Sequence, residues 1–259
     1  RDDPPADCHR AAAIREKAKS LRGVLNFQKP VRMPSFLRIE GWSEERFLRM
    51  RLSGARALAA YHVRSRLRSS KVALVEHILG TKAASARFGI ERTKGSTSGN
   101  VLERLEEIAG RPPRISLDAE APDWLMDPEV HRRVAEEELA VYRDILGQAE
   151  HMSDHRMEAN ADYLLALLDR HPRVLAFDSN LISLYDLCRR LESRGGCEVA
   201  LATGERGGSA RRAFSKRFAL GARETRVIGL CSDALTEGLN LQGASAVVHL
   251  DLPSVIRVL

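Results

Sequence analysis

The sequence predicts an α/β protein in which a parallel sheet, covered by helices on both faces, is preceded by mainly helical segments. Three observations carry that reading. From Arg173 onward, four short apolar runs alternate with helix-like stretches. Those runs are continuous rather than alternating, as strands buried on both faces must be. Before Arg173 the apolar residues recur at three and four, which is the period of a helix.

Each element follows from local chemistry. Between Ser43 and Leu79, Phe47, Leu48, Leu52, Leu58, Ala59, Val63 and Leu67 lie at helical spacing, with arginines between them. That pattern predicts a pair of basic amphipathic helices. Lys94 to Asn100 is small and polar, hence a loop, and Arg111-Pro112-Pro113-Arg114 punctuates the chain again. Asp127-Pro128-Glu129 supplies a cap, a proline at the first helical position and an acid in the first turn. A second helix is expected from about Ser153 and is stopped by His171-Pro172.

Val174 to Phe177 is the first strand, and Asp178-Ser179-Asn180 opens a helix that Gly195-Gly196 ends. Val199 to Ala202 follows as a strand, Ser209 to Leu220 as a helix, and Arg226 to Cys231 and Ala246 to Leu250 as strands. In such sheets ligands meet the loops at the carboxyl ends of the strands. Here those loops begin at Asp178, Thr203, Ser232 and Asp251.

Composition narrows the function classes. The 259 residues are 44% apolar with a net charge of +6, enough to build a core and so not a disordered chain. No apolar run approaches the roughly 18 residues of a membrane span. Four cysteines without a paired spacing argue against a zinc or disulfide scaffold. The charge is uneven: residues 1–116 hold 24 Lys+Arg and 12 Asp+Glu, whereas residues 117–172 hold 5 and 14. A basic half beside an acidic block suggests a surface that faces a polyanion, with a solvated arginine-rich helix face as the equal alternative.

Smaller features carry less. His151 and His155 stand four apart but lack the intervening glutamate and a third ligand, so no metal site is expected. Cys231 is read as a small core residue, and Trp42 and Trp124 as packing anchors. Gly89 to Ser96 places Lys94 before Gly95, the wrong order for a phosphate loop.

The sharpest stretch runs from Cys231-Ser232-Asp233 through Thr236-Glu237-Gly238-Leu239-Asn240-Leu241-Gln242 to the strand ending at Asp251-Leu252-Pro253. It resembles motif V of superfamily-two helicases, in the form used by Swi/Snf-type and related bacterial translocases. Arg173 to Ser179 is similar to motif IV, and Thr203-Gly204 with Arg211 and Phe218 to the block that follows it. Arg66 to Ser70, with Ala73-Leu74 behind, resembles a basic segment between the two motor lobes of bacterial members. The resemblance is specific over residues 153–259.

It implies a partial RecA-like second motor lobe at 173–259, an acidic helical lead-in at 117–172 and a basic interlobe segment at 1–116. By the same resemblance Glu237, Gly238 and Asn240 face an ATP cleft. Asp178, Ser179, Thr203, Gly204, Arg211 and Ser232 border a nucleic-acid strand. ATP and Mg would be held mainly by a first lobe, since this chain has no phosphate loop and ends before an arginine block. The chain is therefore expected to be an internal piece of a cytoplasmic ATP-dependent translocase acting on DNA rather than RNA, inactive alone and without a membrane partner. The competing readings are a non-motor α/β nucleotide- or sugar-nucleotide-using enzyme and a degenerate nucleic-acid-binding module.

Overall fold

A computed structural model describes residues 3–91, 100–203, 208–232 and 241–251. The chain begins with α1 (Pro5–Ala18) and passes through a short helical turn, Val24–Phe27, to the two-residue β1 (Val31–Arg32) and the short α2 (Ser35–Ile39). The long α3 (Glu44–Ser69) and α4 (Lys71–Leu79) stand where the spacing predicts a pair of basic amphipathic helices; α3 is basic, whereas α4 carries one lysine and one glutamate and is largely apolar and buried. Each starts on a serine: Ser43 accepts from the Arg46 N–H at 3.1 Å and Ser70 from the Ala73 N–H at 3.0 Å. The next elements are α5 (Thr81–Phe88), α6 (Val101–Ile108) and β2 (Ile115–Ser116), which pairs in parallel with β1.

The acidic block folds as its grammar predicts. In α7 (Pro128–Glu150), the Asp127 carboxylate accepts from the N–H groups of Glu129 and Val130 at 2.8 and 3.0 Å. Next comes α8 (His155–Leu167), which ends four residues before the expected stop at His171-Pro172.

From Arg173 the chain alternates: β3 (Arg173–Asp178), α9 (Leu181–Arg194), β4 (Glu198–Ala202), α10 (Gly208–Arg217), β5 (Val227–Ser232) and β6 (Ala246–His249). The four strands form one parallel sheet in the order β4-β5-β3-β6. Period-two alternation sorts their side chains onto two faces. Val174, Ala176, Leu201, Ile228 and Leu230 share a core with Leu184, Leu187 and Leu191 of α9. Leu175, Phe177, Ala200, Ala202 and Cys231 pack against Phe214 of α10 and Phe218 just beyond it. The architecture is thus an α/β, RecA-like parallel sheet covered on both sides.

The helices before Arg173 are not an appendage to this sheet. One apolar cluster runs from Ile14 of α1 through Val63, Leu74, Leu105, Ile145 and Leu164 to Leu184 and Ile228. Polar links reinforce it. Glu138 of α7, only 3% exposed, accepts from the backbone N–H groups of Arg22, Gly23 and Val24 at 2.8, 2.9 and 3.2 Å. Burial pushes its carboxyl above the ordinary range, against the pull of those three donors. Gly23 is required at that turn: its φ is +76°, and an added Cβ would lie 2.3 Å from the Ala55 carbonyl oxygen.

Charge ties α8 and α9 together. Arg190 meets Asp186 at 2.9 Å, Asp154 at 3.1 Å and Glu158, while Lys71 of α4 reaches Asp154 at 2.5 Å. Arg156 of α8 donates to the Leu67 and Arg68 carbonyls at 3.2 Å, closing the orphan end of α3.

Gly229 in the middle of β5 sets the packing on the α10 face. A Cβ there would meet Leu175 and Phe218 at 2.7 Å and Phe214 at 2.8 Å. Those phenylalanines stack with ring centroids 5.0 Å apart, so neither can retreat without opening that pair. Gly229→Ala should therefore lower stability by about 1–3 kcal/mol, the usual cost of overpacking a filled core. Urea unfolding followed by far-UV circular dichroism measures it; an unchanged midpoint would show that this face is loosely packed.

Candidate nucleic-acid interface at the carboxyl edge of the sheet

Strand register brings three separated residues into one row. Asp178 ends β3 and pairs with Ser232 at the end of β5. Ala202 pairs with Cys231, so Thr203 falls opposite Ser232 on the other side. Alternation places all three on the α9 face of the sheet. Asp251 follows β6 at the same edge and accepts a hydrogen bond from the Ser179 hydroxyl. Four of the expected nucleic-acid contacts, Asp178, Ser179, Thr203 and Ser232, therefore converge.

Their hydrogen bonding is unequal. Asp178 is 2% exposed and accepts from the Ser69 hydroxyl at 2.9 and 3.1 Å and from the Asn180 N–H at 2.7 Å. Ser69 lies 2.8 Å from the Ser183 hydroxyl, and Ser183 lies 2.7 Å from that of Ser70. A consistent direction runs Ser70 to Ser183 to Ser69 to Asp178, each hydroxyl donating once. Burial pushes the Asp178 carboxyl up to about 7, helped by the nearby Asp251 charge and opposed by its three donors.

Thr203 and Ser232 contrast with this. They are 0% and 4% exposed, yet neither hydroxyl has a partner among the described residues. A buried hydroxyl left unpaired costs about 1–3 kcal/mol, so such pairs mark places where an outside acceptor can repay the cost. Hydroxyls at the carboxyl edge of a parallel sheet are suited to phosphate oxygens, which accept and cannot donate.

Arg211 stands apart from the row. It is half-buried on α10, the helix that covers the opposite face, and makes no hydrogen bond or ion pair among the described residues. Gly204, Glu237, Gly238 and Asn240, the remaining expected site residues, lie outside the described residues.

Ser183 and the second role of Ser69 and Ser70 had no signal beyond a helix cap in the sequence. Ser69 lies more than 100 residues before its partner Asp178, and Ser69 and Ser70 as far before Ser183. Cys231 is fully buried, and burial pushes its thiol up to about 12, which removes it as a nucleophile. His151 lies 2.7 Å from the Gly147 carbonyl within its own helix. The described residues contain no group of three possible metal ligands, and no described helix is long and apolar enough to cross a membrane. Trp124 is an anchor, set edge-on to Phe27 at 5.3 Å, and Trp42 lies under the Arg46 guanidinium at 4.1 Å.

Comparison with known proteins bears on this edge. Residues 158–259 match the family described as the helicase conserved C-terminal domain. The match starts within α8 and spans the whole sheet, so this part of the chain is similar to a helicase C-terminal lobe. No curated protein matches the chain.

The Asp178 environment has a signed consequence for pH. Its carboxyl keeps its proton to about 7 in the folded chain but only to about 3.8 when unfolded. Between those values the folded state binds more protons, so stability falls as pH rises from about 4 through 7. Asp178→Asn removes that dependence. Chemical denaturation from pH 5 to 8 should show the variant losing about 2–4 kcal/mol less than wild type. A smaller slope should remain from Glu138, whose carboxyl is raised as well. Parallel pH profiles for the two proteins would refute the assignment.

Proposed function

We propose that this chain supplies the second lobe of a helicase-type ATP-dependent enzyme and that the row Thr203–Ser232–Asp178 lies along a nucleic-acid strand. The observation that carries the reading is the helicase C-terminal match over a parallel sheet whose carboxyl edge holds two buried hydroxyls with no partner among the described residues. In such a motor, two lobes close over ATP while both grip one strand. Thr203 and Ser232 would donate to phosphate oxygens. Asp178, about half protonated near pH 7, can stand beside a phosphate without full charge repulsion.

The finer form of the proposal follows the motif resemblance. The enzyme is of Swi/Snf type, moves on DNA and works in the cytoplasm. Residues 173–259 are the lobe, 117–172 its acidic lead-in and 1–116 a basic interlobe segment. Ser179 and Gly204 complete the strand border, Arg211 would reach it only from the opposite face of the sheet, and Glu237, Gly238 and Asn240 face the nucleotide. No phosphate loop exists in the sequence, and no carboxylate cluster for a metal exists among the described residues. ATP and Mg are therefore assigned mainly to a first lobe. This chain's part is to grip the strand and complete the cleft.

The test begins with the two hydroxyls. Thr203→Val and Ser232→Ala remove groups with no partner among the described residues, so stability should hold or rise slightly. Affinity for a fluorescein-labelled oligonucleotide should fall by about 10-fold each, the worth of a hydrogen bond to a charged acceptor. Unchanged polarisation isotherms for both variants would sink the placement of the strand.

A second measurement concerns the motif V residues in a protein carrying both lobes. Asn240→Ala should lower nucleic-acid-stimulated ATP turnover more than nucleic-acid affinity. Gly238→Val should be worse, because a branched side chain blocks close approach. Steady-state ATPase with and without saturating nucleic acid checks both. Wild-type behaviour of the pair would leave the loop a simple turn.

A further inference from the structure

Helix α3 carries seven arginines and no acidic residue between Arg46 and Ser69. That density would be unremarkable if the fold neutralised it, as it does elsewhere in the basic half. The acidic helices pair Lys17 with Asp144, Arg22 with Glu137 at 3.1 Å, Lys71 with Asp154 at 2.5 Å and Arg87 with Glu150 at 3.0 Å. These ties serve α1, the turn after it, α4 and α5. None reaches α3, whose one acid contact among the described residues is Arg49 with Glu45 at 3.8 Å.

The other α3 arginines rest on neutral groups or on none. Arg46 covers the Trp42 ring, Arg51 donates to the Asn26 carbonyl at 3.3 Å, and Arg64 donates to Ala60 of its own helix. Arg56 and Arg68 are exposed, and their guanidinium groups make no hydrogen bond or ion pair among the described residues.

Helical geometry aligns the charge. Arg46, Arg49, Arg56, Arg64 and Arg68, all exposed, fall within about a third of the helix circumference at about 100° per residue. At about 1.5 Å per residue that stripe is about 33 Å long, close to one turn of a duplex. Its far end is fixed to the candidate interface, because Ser69 holds Asp178.

We infer that the solvent face of α3 is a second nucleic-acid surface, one that takes the phosphate backbone of a duplex. The inference rests on the nucleic-acid reading above and adds a place and a form of ligand to it. A straight helix holds its guanidinium groups on a rigid line, matched to the fixed phosphates of a duplex. A single-strand track needs a series of stacking platforms, and the exposed face of α3 carries one aromatic, Tyr61.

The experiment compares charge-matched variants of the chain. Arg56→Gln, Arg64→Gln and Arg68→Gln are combined in one protein. Lys82→Gln, Arg132→Gln and Arg133→Gln, exposed elsewhere, are combined in another. Each is titrated against a fluorescein-labelled 30-base-pair DNA duplex and a 30-nucleotide single strand between 50 and 200 mM NaCl. For the duplex, the α3 variant should lose about 10-fold or more in affinity, and its salt slope should fall by about 2–3. The control variant should lose much less.

Equal losses in the two variants would reduce the effect to net charge and overturn the inference. So would an α3 loss confined to the single strand, or binding of anionic vesicles in place of the duplex through the same arginines. If Thr203→Val and Ser232→Ala weaken binding while the α3 variant does not, the inference fails and the strand placement stands. If the α3 variant alone weakens it, the α3 surface stands and the strand placement fails.

Discussion

A buried carboxyl at the end of β3 organises the edge on which the candidate function sits. Asp178 is almost wholly inside the fold, and its oxygens are held by a hydroxyl from α3 and an N–H from the start of α9. A carboxyl in such a place must be paired or protonated, and here it is in part both. The hydrogen-bond chain from Ser70 through Ser183 and Ser69 fixes the α3–α4 corner against the first turns of α9. The position of α3 relative to the sheet, and hence of its arginines relative to Ser232 and Thr203, follows from that anchor.

Electrostatics does the rest of the arranging. Acids of α7 and of the turn before α8 pair with cations of α1, α4 and α9. Exposed pairs of this kind contribute little singly, commonly under 1 kcal/mol. The Arg190 cluster differs, because its guanidinium is 7% exposed and meets acids from α8, α9 and the turn before α8. Removing one partner there would leave a buried charge unpaired, a costly outcome. The net result of the pairing is selective: most of the fold is neutralised locally, and α3 is left with its field facing solvent.

What was legible in the sequence is what nearest neighbours decide. Asp127-Pro128-Glu129 starts a helix because a cap and its N–H groups are within three residues of each other. The strands of the lobe announced themselves as continuous apolar runs, and the motif order over 153–259 agreed with the helicase C-terminal match. Asp178, Thr203, Ser232 and Asp251 fall at the carboxyl ends of the strands, as parallel alternation alone requires. The helices α1, α5 and α6 were not read, being short or weakly patterned, with stability drawn from α3, α4 and α7 against which they pack.

Only the tertiary structure decided the strand order β4-β5-β3-β6, because four apolar runs of similar character can be ordered in several ways. It alone showed that Thr203, Ser232 and Asp178 form one row while Arg211 belongs to the helix of the opposite face. It alone separated the arginines that are neutralised from those that are not, since a charge count does not know its partners. The sequence by itself determined the elements from Asp127 onward, the α/β class of the sheet and the residues at the carboxyl ends of its strands. The fold determined which of them meet, how deeply they are buried and how they titrate, because distance and dielectric are properties of the packed chain.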